Sequence, residues 1–138
     1  MKETPLSAAD HEFLCRFEQA EVVGHEFGHR QHLRMAWLYI RLYGPEVAEE
    51  RAARGIRNLV QRHGVAGKYN DTLTRAWVRA VAHHAAQGGA LGSFDAFIGR
   101  FPALTRGDLM LRHYSAGVLW SDGARSGWVE PDVAPLPV

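Results

Sequence analysis

The stretch VVGHEFGHRQHL, residues 22–33, concentrates side chains that can bind metals or transfer protons. Three histidines and one glutamate fall within eight positions of it: His25, Glu26, His29 and His32. Imidazole is a common metal ligand, and its proton exchanges readily near neutral pH. The stretch therefore predicts a functional site, and its spacing is compatible with more than one kind.

One interpretation is a zinc peptidase. Residues 25–29, HEFGH, match the H-E-x-x-H motif, in which two histidines one helical turn apart bind zinc and the glutamate acts as general base. Such enzymes take a third ligand from further along the chain and align the substrate on a strand. The downstream acids Glu46, Glu49 and Glu50 lie on a face predicted to be solvated, and no strand is predicted. The peptidase is therefore kept as an alternative.

The preferred interpretation uses His29 and His32. At i and i+3 on a helix, their side chains share one face, and the apolar residues that follow would bury that face. The pair can act as metal ligands or as a general acid and base. Glu26, one turn before His29, is the candidate third ligand for a divalent transition metal such as Zn, Fe, Ni or Cu. Only one E-x-x-H pair is present, whereas di-iron bundles use two.

The histidines can also be structural. Two imidazoles at the start of a helix can simply hydrogen-bond to carbonyls or carboxylates. The protein would then be a non-catalytic accessory or interaction protein. Metal content and ligand binding separate this alternative from the other two.

The composition predicts one cytoplasmic globular domain spanning residues 1–138. The chain has 16 Lys and Arg against 15 Asp and Glu, so it carries no bulk charge to attract nucleic acid or an anionic membrane. No apolar run approaches transmembrane length, and no nucleotide or flavin motif is present. The single Cys15 excludes an internal disulfide and is predicted to be a small buried residue.

Apolar residues recur with the period of an α-helix, so the predicted fold class is all-α, a single-domain helical bundle. Four main helices are expected at about 7–20, 27–43, 45–63 and 70–87, and two short ones at 94–101 and after Thr105. Helix N-caps are expected at Ser7, at Asn70 or Asp71, and at Ser93. Gly44 followed by Pro45 marks the end of one helix and the start of the next.

An extended, proline-rich tail is expected from about residue 115 to residue 138. Arg125, Trp128 and Asp132 are predicted to fasten it to the end of the bundle. The alternative is that its final PLP tract binds a partner.

Four motifs together resemble an uncharacterised family of small helical bacterial proteins. They are FGHRQHLRMAWL (27–38), KYNDTLTRAWVR (68–79), AHH (82–84) and WVEPDVAPLP (128–137). The resemblance implies histidines at the positions of His29 and His32, and it does not imply one at His25. It also implies a histidine after the tyrosine of the second motif, where this chain has Asn70. The resemblance implies which positions carry histidines, but it implies no activity.

The two longer motifs predict a ligand pocket between their helices. Packed antiparallel, the helices would bring the two histidines toward the candidate ligand-binding residues Trp37, Tyr69, Asn70, Thr74 and Trp77. Convergent polar groups in an aromatic-lined cleft are typical of a small-molecule site. The two tryptophans can equally be core residues.

Overall fold

The computed structural model describes residues 6–22, 27–88 and 92–137. All regular secondary structure in these ranges is helical, which confirms the predicted all-α class. The α-helices are α1 (Ala8–Glu18), α2 (His29–Tyr43), α3 (Pro45–Arg62), α4 (Asp71–Gly88), α5 (Phe94–Arg100), α6 (Ala116–Leu119) and α7 (Asp122–Ser126). Single 3₁₀ turns occupy Ala66–Lys68, Pro102–Thr105 and Leu109–Arg112. Within the described ranges, no helix is both long enough and apolar enough to cross a bilayer.

Side-chain caps begin α1 and α5 at the predicted residues. The Ser7 hydroxyl accepts a hydrogen bond from the Asp10 amide at 3.0 Å, and the Ser93 hydroxyl accepts one from the Ala96 amide at 3.1 Å. Each bond satisfies an N–H group that has no partner inside its helix. Local sequence therefore sets where these two helices start.

Backbone conformation sets both ends of α2. The helix begins at His29, two residues later than predicted, because Gly28 is in an extended conformation. It ends at Gly44, whose φ of 85° lies in the left-handed region that glycine adopts without a steric penalty. Pro45 then occupies the first position of α3, where its missing N–H costs no hydrogen bond.

Helices α2, α3 and α4 pack against one another, and every pair among them is in contact. On α3, Ala48, Ala52 and Gly55 are buried at i, i+4 and i+7, and these small side chains allow neighbouring elements to approach closely. On α1, Leu14 and Phe17 are buried whereas Cys15 is exposed, contrary to prediction. Cys15 lies about 100° around the helix from Leu14 and therefore points away from the core.

Ion pairs join α3 to α4 on a face that was predicted to be solvated. Arg75 lies 2.8 Å from Asp71 on its own helix and 2.8 Å from Glu50 on α3. Glu49, whose side chain is only 15% exposed, lies 3.2 Å from Arg79. The hydrogen bond from Arg75 holds the pKa of Glu50 below its usual value. These contacts fix α4 relative to α3.

The segment predicted as an extended tail is helical at α6 and α7, because Ser115 and Ser121 cap these short helices with their side chains, so the extended prediction was wrong for this part. Two of the residues predicted to fasten the tail, Asp132 and Arg125, make polar contacts. An Asp132 carboxylate oxygen accepts a hydrogen bond from the Ser115 amide at 2.8 Å. The Arg125 guanidinium donates to the Gly67 carbonyl at 2.9 Å. The first contact lies within the segment predicted as the tail, and the second joins that segment to the 3₁₀ turn Ala66–Lys68.

Further contacts connect the tail to α4. The guanidinium of Arg79 lies 3.8 Å from the centroid of the Trp128 ring, a cation–π geometry. Thr72, which is fully buried, donates to the Gly127 carbonyl at 2.6 Å and accepts from the Val129 amide at 3.0 Å. One hydroxyl therefore satisfies two backbone groups of the tail.

Candidate functional site

A cavity of about 340 Å³ lies between α2 and α4. Its apolar wall contains Phe27, Met35, Ile56, Leu73, Trp77 and Val78. Three side chains with polar groups, His29, His32 and Thr74, also line it. The predicted i,i+3 spacing thus places both histidines of α2 on the wall of one cavity.

His29 is the first residue of α2, and its ring is fixed from two sides. Its Nε2 lies 2.8 Å from the Leu104 carbonyl oxygen, and its ring centroid lies 4.5 Å from that of Trp77 at an interplanar angle of 65°. Because a carbonyl can only accept, Nε2 carries the hydrogen, and Nδ1 of the neutral ring holds the lone pair. Trp77 and Leu104 together set the orientation of this imidazole.

His32 lies one helical turn later, and its ring is held through Nδ1, the nitrogen that His29 leaves free. Its Nδ1 lies 3.0 Å from the Gly28 carbonyl oxygen, so Nδ1 donates and Nε2 holds the lone pair of the neutral ring. Its ring also packs on Phe27, with 4.5 Å between centroids. The two histidines therefore adopt different tautomers, each selected by a main-chain carbonyl.

Burial lowers the pKa of His32 below its usual value of 6.5, and the electrostatic effect of the neighbouring His29 lowers it further. The hydrogen bond to Gly28 acts in the opposite direction and is smaller than the effect of burial. The positive end of the α2 dipole also disfavours a cation in the first turn. At neutral pH the His32 ring is therefore uncharged.

The structure brings four of the predicted site residues to this cavity: His29, His32, Thr74 and Trp77. Thr74 and Trp77 are separated by three positions on α4 and share the face opposite the histidines. Glu26 and His25 fall within residues 23–26, outside the described part of the chain.

Three other predicted ligand-binding residues lie elsewhere. Trp37 is buried in the core, with its ring 5.9 Å from Phe94 and 6.0 Å from Phe97 between centroids. It therefore fills the core, as the alternative interpretation expected. Its side chain points to α5 because it is one position past the α2 face that lines the cavity.

Tyr69 and Asn70 also lie outside the cavity lining. The Tyr69 hydroxyl donates to Asp71, and burial together with this carboxylate raises the pKa of the phenol. Asn70 accepts from the Leu73 amide at 3.0 Å, which makes it the predicted cap of α4, and its amide donates to the Leu119 carbonyl at 2.8 Å. Both polar groups of Asn70 are thus engaged in holding the fold together.

Several cavity residues were not predicted from the sequence. Met35 and Ala36 lie three and four positions after His32, so the helical period alone could have identified them. Ile56 comes from α3, and the Leu104 carbonyl that orients His29 comes from a 3₁₀ turn. No local sequence pattern indicates either contribution.

Among the described residues that line the cavity, the two imidazoles are the side chains of a kind that commonly binds a transition metal. Metal-bound histidines characteristically donate their second ring N–H to a carbonyl or carboxylate, as both of these rings do to main-chain oxygens. Throughout residues 6–22, 27–88 and 92–137, no group of three or more His, Cys, Asp and Glu side chains is arranged to hold a metal ion. The described residues therefore fit a metal only as a two-histidine site completed by other ligands.

The bounds of α2 also bear on the peptidase motif. Zinc peptidases place both motif histidines on one helix. Here α2 begins at His29 and therefore does not include residue 25.

No protein-family model, curated protein or solved structure matches this chain. The site must therefore be interpreted from its own geometry.

Proposed function

We propose that this protein binds a small molecule in the cavity between α2 and α4. The ligand's apolar body lies against Trp77, Met35 and Leu73, and its polar group meets the imidazoles of His29 and His32. One observation carries the proposal: two histidines, each with one ring nitrogen hydrogen-bonded to a main-chain carbonyl, line a mostly apolar cavity. A cavity of this volume falls in the range typical of small-ligand sites, which combine apolar walls with a few placed polar groups.

The proposal includes a particular scaffold. We infer that α1 to α4 form the bundle and that residues 127–137, which follow α7, are a strap across it, fastened at Thr72, Tyr114 and Ser115. Support comes from the hydrogen bonds that these residues make with Val129 and Asp132. Such a strap would stiffen α4, which carries Thr74 and Trp77.

A blocking variant tests the binding proposal. Thr74→Trp places a bulky side chain at the cavity wall, and Gln61→Trp places the same side chain on the exposed surface of α3. Small aromatic fragments should be screened against the wild type and both variants by saturation-transfer-difference NMR. Fragments that bind the wild type and Gln61→Trp but not Thr74→Trp would support the site. Equal binding by all three proteins, or no binding fragment, would overturn the proposal.

A divalent transition metal bound by His29 and His32 is the second candidate. Its support is that both rings donate one N–H to a carbonyl and keep one nitrogen lone pair, as metal-ligating histidines do. Glu26 would be a third ligand. In this case the protein would be a small metal-dependent enzyme or a metal-binding protein.

Elemental mass spectrometry of untagged wild type, His25→Ala and His32→Ala tests the metal candidate. Near-stoichiometric metal that is lost in His32→Ala and retained in His25→Ala would support it. Loss in His25→Ala alone would favour the peptidase. If no sample holds metal after addition of Zn, Fe, Ni or Cu, the metal candidate is overturned. If the fragment screen is also negative, the histidines are structural, as in an accessory protein.

A further inference from the structure

The chemistry of the cavity wall also selects a ligand class. Resting on the proposed function, we propose that the site is specific for uncharged hydroxyl compounds with an aromatic body, that is, phenols and related alcohols. The hydroxyl donates its hydrogen bond to an imidazole nitrogen and accepts one from Thr74.

The residue types of the cavity lining restrict the charge of the ligand. Among the described residues that line the cavity, none is an Asp, Glu, Lys or Arg. Moving an ion from water into such a lining without a partner of opposite charge is strongly unfavourable. The lining therefore favours an uncharged ligand over a carboxylate or an ammonium.

The hydrogen bonds already made by His29 and His32 restrict the polar group of the ligand. Nε2–H of His29 is used by Leu104, and Nδ1–H of His32 is used by Gly28. In its neutral form, each ring then has only a lone pair left and can only accept a hydrogen bond through that nitrogen. A ligand that only accepts hydrogen bonds, such as an ether or a ketone, would leave these nitrogens without a donor.

Thr74 and the aromatic residues of the lining restrict the ligand further. A threonine hydroxyl can donate or accept, and a ligand hydroxyl can do both at once, so one O–H group complements Thr74 and an imidazole together. Trp77 on α4 and Phe27 beside His32 also line the cavity, and aromatic rings pack on each other in offset or edge-to-face geometry. The combination describes an aromatic ring that bears a hydroxyl.

The amides at the start of α2 are the competing feature, since a helix N-terminus attracts anions. The cavity reaches this end of the helix, since Phe27 and the N-cap residue Gly28 line it together with the side-facing residues His32, Met35 and Ala36. The Gly28 amide is already donated to the Gln31 side chain at 2.9 Å. An aryl carboxylate therefore belongs in the test as the opposing probe.

The experiment compares three probes of similar shape by isothermal titration calorimetry: 2-naphthol, 2-methoxynaphthalene and 2-naphthoate. The methyl ether has the same ring as the naphthol but no O–H to donate. We expect 2-naphthol to bind at least about tenfold more tightly than either of the others. A ligand without an O–H group leaves the imidazole acceptor unpaired once the complex has formed.

A histidine variant assigns the preference to the site. In His32→Phe, an aromatic ring stays at residue 32 but the imidazole acceptor of that residue is removed. The ratio of the affinity for 2-naphthol to that for 2-methoxynaphthalene should therefore fall toward one. His83→Phe, on α4 outside the cavity lining, should keep the wild-type preference.

The outcomes separate this inference from the proposed function. Equal affinity for naphthol and ether, or tighter binding of the naphthoate, would overturn the hydroxyl inference and leave the binding site standing. If none of the three probes binds, but other fragments bind the wild type and not Thr74→Trp, the hydroxyl inference is likewise overturned and the binding site still stands. Failure of the fragment screen would overturn both.

Discussion

The Nε2 of His29 lies 2.8 Å from the carbonyl oxygen of Leu104, which is 75 residues further along the chain. This single bond selects the tautomer of one cavity histidine, while Gly28 selects the opposite tautomer of the other. The hydrogen-bonding character of the cavity is therefore determined by two main-chain carbonyls.

We expect these tautomers to be directly observable. Long-range ¹H–¹⁵N correlation spectra at neutral pH should show His29 protonated on Nε2 and His32 protonated on Nδ1, because carbonyl oxygens accept at those atoms. The exposed His11 serves as the internal reference. A spectrum with the same tautomer at both cavity histidines would contradict the site geometry.

His32 should make stability depend on pH. Its folded-state pKa lies below the value of about 6.5 for the unfolded chain, so under mildly acidic conditions the unfolded state binds a proton that the folded state does not. The free energy of unfolding should therefore fall as the pH drops from about 6.5 toward the folded-state pKa. Urea denaturation of the wild type and His32→Phe between about pH 7.5 and pH 5 measures it. An equally steep decline in both proteins would refute the assignment to His32.

Gly55 should not tolerate a larger residue. A Cβ atom there would lie 2.3 Å from Cε2 of Phe17, and the Phe17 ring is fully buried and cannot move away freely. Gly55→Ala should lower the free energy of unfolding by about 1–3 kcal/mol despite the better helix propensity of alanine. Gly99→Ala on α5 is the control, because a Cβ there has no atom within 4 Å, and it should be neutral or slightly stabilising. Equal effects of the two substitutions in urea denaturation would count against the packing of α1 on α3.

Thr72 and Thr74, two positions apart on α4, should separate stability from binding. Thr72→Val leaves the Gly127 carbonyl and the Val129 amide without their partner, so we expect a loss of about 1–3 kcal/mol. Thr74→Val at the partly exposed cavity wall should change stability by less than about 0.5 kcal/mol.

Hydrogen exchange gives the second readout for this pair. The Val129 amide should exchange faster in Thr72→Val and unchanged in Thr74→Val, since only Thr72 accepts its hydrogen bond. Similar exchange in both variants would show that the tail does not depend on Thr72.

Asn70 shows why part of the site could not be predicted. From the sequence it was a candidate both for capping α4 and for binding a ligand, because a carboxamide suits either role. The cap depends on residues three positions apart and was predicted and found. The second bond, to the Leu119 carbonyl, depends on an element 49 residues away that no local pattern places beside it.

The sequence by itself determined the helical class, the caps at Ser7 and Ser93, the cap of α4 to within one residue (Asn70 or Asp71), and the shared face of His29 and His32. These features follow from local hydrogen bonds and from the 3.6-residue period, which act within a few positions. The tertiary structure decided that Thr74 and Trp77 line the cavity with the histidines, whereas Trp37 fills the core. It also decided which imidazole nitrogen is protonated, because Leu104 meets His29 only after the helices have packed.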